Sequence, residues 1–143
     1  MTEVVARRSL RQAALPAAIE DVHNELDKLW EDASFVPDMD RMTFATAVIE
    51  AASNVVQHAV PESAVPVELG VDISVSAAQL RARVSAFHAA SPGPLGSDAS
   101  MPDGEAESGR GLALIRALVT TVTFKRQNGT NIWVLSKSSG HDC

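Results

Sequence analysis

The sequence contains one cysteine, Cys143, at its last position. No intramolecular disulfide can form from it, and no cysteine-based zinc site can be assembled. Tyrosine is absent and aromatic residues make up only 4% of the chain, so the core has to be built from Val, Leu, Ile and Ala. That scarcity also argues against a platform for stacking nucleic-acid bases. No stretch approaches the roughly 18 apolar residues of a membrane span. No apolar signal core follows Glu3, Arg7 and Arg8 near the start. Long basic runs are missing too, and the net charge is −6. Phosphate-backbone binding needs clustered Lys and Arg, so direct nucleic-acid contact is not expected. These absences point to a soluble, cytoplasmic protein without membrane contact.

What remains is an ordinary globular composition, 45% apolar and 21% charged over 143 residues. That length suits a single domain spanning residues 1–143. Val4, Val5 and Ala6 open a short first strand over 4–11, which carries Arg7, Arg8 and Arg11. Pro16 stands where a helix can begin, and Ile19, Val22, Leu26, Leu29 and Trp30 recur at spacings of three and four. Pro37 and Asp38 punctuate its end, and Asp40 is placed to cap a second helix over 41–59. Phe44, Ala47, Val48, Ala51 and Val55 form the apolar stripe of that helix, and Pro61 stops it.

The period then changes to two. Val65, Val67, Leu69, Val71, Ile73 and Val75 alternate with mostly polar residues, and Leu80, Ala82, Val84 and Ala86 repeat the pattern after a short connection. An antiparallel hairpin is expected. Residues 88–110 are rich in Gly, Pro, Ser, Ala and Asp without apolar periodicity, and a loop of that length in a compact domain is usually functional, for example as a lid, or else disordered. A third helix is expected from Gly111 to Thr120, followed by strands near 121–126 and 130–136. Asn128-Gly129 between them signals a tight hairpin. The order predicts an α+β, two-layer sandwich: one mixed or mostly antiparallel sheet with helices on one face.

On the second helix Glu50, Asn54 and His58 stand at i, i+4 and i+8. At about 100° per residue they share one polar stripe, roughly a quarter turn from the apolar one. Spacing alone equally describes a solvated helical face. An amide oxygen can serve Mg²⁺, which takes its remaining ligands from nucleotide phosphates and water. A carboxylate one turn away can accept a proton from a hydroxyl attacking a γ-phosphate. The second signal is Gly109-Arg110-Gly111-Leu112 at a loop–helix junction. Glycines let backbone N–H groups approach a phosphate closely, although a plain flexible helix entry reads the same.

In order and spacing these segments resemble a known family. Val48 to Ala59 resembles the N-box of the GHKL ATPases and kinases in its anti-sigma-factor serine/threonine kinase version. Ser108 to Ile115 is similar to the later glycine box, and Gly129-Thr130 to the pattern that places a threonine near the adenine. The resemblance implies the Bergerat ATP-binding fold, with ATP and Mg²⁺ as cofactors. Asn54 would hold the metal and Glu50 would be the catalytic base. His58, Gly109, Arg110, Gly111, Leu112 and Thr130 would complete the nucleotide contacts, and 88–110 would be the ATP lid. It also implies a sigma factor and an anti-anti-sigma protein of STAS type as partners, and a possible homodimer. The activity implied is phosphorylation of a partner serine in transcriptional stress control.

One family motif is missing. The Asp-x-Gly box that reads the adenine amino group falls here on Ala86 and His88. Alanine offers no acceptor, and histidine adds bulk where glycine leaves room. Two functions are therefore in play, a serine kinase acting as an anti-sigma regulator and a pseudokinase that binds partners without using ATP.

Overall fold

The computed structural model describes residues 4–91 and 113–138. Among the described residues five strands form one sheet: β1 (Val4–Ala13), β2 (Glu68–Ser76), β3 (Gln79–Phe87), β4 (Thr121–Gln127) and β5 (Thr130–Ser138). Their spatial order is β1-β2-β3-β5-β4. Every neighbouring pair is antiparallel, so the sheet is uniform where the sequence allowed a mixed one.

Two helices, α1 (Pro16–Asp32) and α2 (Asp38–His58), cover one face of this sheet. Pro16 opens α1, where its missing N–H costs nothing. Ala18, Val22, Leu26 and Leu29 form the buried stripe of α1. Trp30 meets Phe44 of α2 edge to face, ring centroids 6.2 Å apart. Pro37, not Asp40, occupies the N-cap of α2, with no side-chain capping bond. Asp40 belongs to the first turn, where a carboxylate suits the helix dipole. There it lies 3.8 Å from Lys137 of β5, and the two side chains are only 15% and 19% exposed.

The alternation expected of β2 and β3 is realised. Leu69, Val71, Ile73 and Val75 pair across with Ala86, Val84, Ala82 and Leu80, and all eight are buried. β2 begins at Glu68, later than the pattern from Val65 suggests. Pro66 has no N–H to donate to a ladder, and Val65 stays exposed. Asn128 and Gly129 both take positive φ, 51° and 76°, as the two-residue turn between β4 and β5 requires.

The other face of the sheet carries polar and charged side chains and is uncovered by either helix. Arg7 binds Asp72 there through Nε and Nη2 at 3.0 and 2.9 Å. That hydrogen bond, and then the carboxylate's charge, raise the Arg7 pKa above its ordinary value. Residues 113–118 are helical, and Ile115 enters the common core.

Candidate functional site

The stripe expected on α2 exists. Ala51 and Val55 are buried, Glu50 and Asn54 are half-buried beside them, and His58 is exposed at the last turn. Neither Glu50 nor Asn54 has a hydrogen-bond or ion-pair partner among the described residues. Both remain available to a ligand at the margin of the core. No group of three His, Cys, Asp or Glu among the described residues could hold a metal ion by itself. Any Mg²⁺ at Asn54 would accordingly need phosphate and water oxygens to complete its shell. Gly109, Arg110, Gly111 and Leu112 lie outside the described residues, as does the expected lid beyond Ser91.

Beyond the end of α2 the chain is tied down by a polar network that the sequence did not advertise. Pro61 bridges to Ala89. The Glu62 N–H donates to the His88 carbonyl at 3.1 Å, and the Ala90 N–H to Val60 at 2.7 Å. Arg126 of β4 sits at the centre. Its Nη1 donates to the Ala89 carbonyl at 2.8 Å and to Asn131 Oδ1 at 2.7 Å. Its Nη2 reaches Glu62 Oε1 at 2.8 Å. Asn131 Nδ2 donates in turn to the Ala90 carbonyl at 3.0 Å.

Asn131 is buried and pairs directly with Ala86 across β3 and β5. Residues opposite one another in a ladder point to the same side, so Ala86 and Asn131 both face the helices. Thr130 pairs with Phe87 and faces the opposite side. The structure therefore does not bring Thr130 together with Glu50 and Asn54, and its neighbour Asn131 takes the helix-facing place. Strand alternation counted from the Asn128-Gly129 turn would have identified Asn131. Nothing local marked Glu62 or Arg126, whose partners lie 64 and 37 residues away in the chain.

His88 has φ 62°, a conformation that favours glycine.

A match to the curated proteins was not found. Among solved structures, the crystal structure of the RsbU and RsbW domains of Rv1364c from Mycobacterium tuberculosis superimposes with a TM-score of 0.66 at 17% sequence identity. The match covers 93% of this chain and 32% of that one. At this identity the likeness establishes a shared fold. The family model described as the histidine kinase-like ATPase domain matches residues 12–137, which takes in both helices and most of the sheet. The chain belongs to the histidine kinase-like ATPase domain family.

Proposed function

We propose that this chain is a regulator of the anti-sigma type that acts by binding a sigma factor or an anti-anti-sigma partner, with nucleotide use weakened on the adenine side. The observation that carries this reading is the Ala86–Asn131–Arg126 arrangement. The position of the family's adenine-reading aspartate is an alanine. The polar side chain opposite it, Asn131, already spends its amide on Arg126 and Ala90. A purine amino group finds no unengaged acceptor at this pair. Losing such a bond to a buried partner costs about 1–3 kcal/mol, or up to roughly a hundredfold in affinity.

Glu50 and Asn54 favour a second reading, a working serine kinase. Both stand unpartnered among the described residues one helical turn apart. In that reading Asn54 contributes an oxygen to Mg²⁺, which offsets charge on the phosphates. Glu50 accepts the proton of the attacking serine hydroxyl.

Calorimetric titration of the protein with Mg-ATP, beside Asn54→Ala, separates the two. Absent or millimolar binding, together with partner complexes that form equally with and without Mg-ATP, is the expected result. Micromolar binding abolished by Asn54→Ala, with phosphate transfer abolished by Glu50→Ala, would overturn it in favour of the kinase.

A further inference from the structure

The face of the sheet turned away from α1 and α2 contains a bowl of about 560 Å³. It arises from residue size. Across β1, β2, β3 and β5 one row of paired residues reads Arg11, Gly70, Ser85, Ile132. The two middle positions are the smallest in this row; the Phe87 ring lies against Gly70 and walls one side of the hollow above Ser85. The rim is supplied by Asp72 and Arg83 on one side and by Phe87, Thr130, Gln127 and Asn128 on the other.

The charges around this bowl do not balance. Arg7 is paired with Asp72, and Arg11 with Glu68 at 2.7 Å. Arg11 also stacks on the Phe87 ring, 3.6 Å from its centroid. The Arg83 side chain, opposite Asp72 in the ladder, makes no hydrogen bond or ion pair among the described residues, although the chain as a whole carries a net charge of −6. Ser85, at the floor, is only 6% exposed, and its hydroxyl has no hydrogen-bond partner among the described residues. No buried side-chain oxygen or nitrogen among the described residues lacks a partner, so this hydroxyl is reached from the bowl.

We propose that this bowl is a binding site for a small-molecule oxyanion, a carboxylate or phosphate monoester, held by Arg83 and by the hydroxyl of Ser85. Guanidinium groups bind carboxylate and phosphate oxygens in a forked geometry, and charge-assisted bonds of this kind are the stronger class. Ser9 and Thr130 add hydroxyls at the rim, Gln127 and Asn128 add amides, and Ile132 gives an apolar contact. The volume lies in the range of small-molecule sites. The site is on the opposite face of the sheet from Glu50 and Asn54 and does not depend on the reading of the nucleotide side.

The test is an amide NMR titration of the full chain with inorganic phosphate and, separately, with succinate, at constant ionic strength set by chloride. Saturable shifts are expected at Gly70, Ser85 and Ile132 with at least one of the two anions. Arg83→Gln should weaken binding about tenfold or more, as loss of a charge-assisted bond implies. Ser85→Ala should weaken it severalfold without lowering the thermal midpoint. Whichever anion shifts these amides more strongly identifies the headgroup. Absence of saturable shifts, or shifts undiminished in Arg83→Gln, would overturn the site. So would a protein that is dimeric by light scattering and becomes monomeric in Arg83→Gln, because the face would then serve self-association.

Discussion

Arg126 and Asn131, on neighbouring strands of the last hairpin, are joined by a 2.7 Å hydrogen bond, and that bond orients the amide of Asn131, which the β3–β5 ladder places opposite Ala86. The guanidinium simultaneously holds the Ala89 carbonyl and the Glu62 carboxylate. One side chain therefore ties β4 to β5 and to the segments after α2 and β3.

Replacing Arg126 by alanine should cost about 1–3 kcal/mol, because it strands the buried Asn131 oxygen and the Ala89 carbonyl. Glu62→Gln should cost under about 1 kcal/mol, since the Glu62 side chain is 42% exposed and exposed ion pairs contribute little. Urea unfolding of both variants measures the difference. Equal effects would show that the ion pair, and not the buried amide, dominates the network.

The pair Ala86→Asp and His88→Gly should improve Mg-ATP binding over the wild type by about tenfold or more, the worth of a regained buried hydrogen bond. Each substitution alone should do less, because one supplies the acceptor and the other the room. Calorimetry on the three variants checks this. Unchanged affinity in the double variant would place the defect elsewhere in the nucleotide site.

His88→Gly by itself should leave stability unchanged or raise it by up to about 1 kcal/mol, since the left-handed conformation costs a non-glycine residue about that much. His88→Val should lower stability by about 1–2 kcal/mol, because β-branching tolerates positive φ worst. Thermal unfolding compares them. A destabilised glycine variant would mean that the imidazole contributes contacts that outweigh the backbone strain.

Gly70→Ala should destabilise by about 1–2 kcal/mol through steric overlap. A Cβ built at Gly70 would lie 2.5 Å from Cε2 of Phe87, so the ring and the guanidinium of Arg11 stacked on it would both have to move. Phe87→Leu in the same chain should recover part of the loss. A double-mutant cycle on unfolding free energies gives the coupling, and simple additivity would rule out the steric explanation.

Elements with strong local signals were legible from the sequence. The stripes of α1 and α2, the alternation of β2 and β3 and the Asn128-Gly129 turn all depend on near neighbours, and each was found within a few residues of its expected bounds. The stripe of Glu50, Asn54 and His58 was legible for the same reason, because helical geometry relates these residues directly. Thr130 was not, since the face it occupies is decided by pairing with Phe87 from another part of the chain. Nor was Arg126, whose importance comes from contacts with Glu62 and Ala89. Asp40 was read as a cap from residue type alone, but Pro37 takes the cap and Asp40 pairs with Lys137.

The helix that carries Glu50 and Asn54 is fastened near both ends to the final hairpin. Lys137 of β5 meets Asp40 in its first turn, and Arg126 of β4 grips Glu62 just after its last. Both fasteners lie on β4 and β5, which are synthesised well after α2. While the polypeptide is growing, α2 can coil and rest against α1, but neither end can be clamped until the hairpin has emerged. A nascent chain stopped before Thr121 would keep the packing of α2 on α1, β2 and β3 but lack both clamps. The seating of Glu50 and Asn54 over the sheet is therefore completed only when the β4–β5 hairpin joins it.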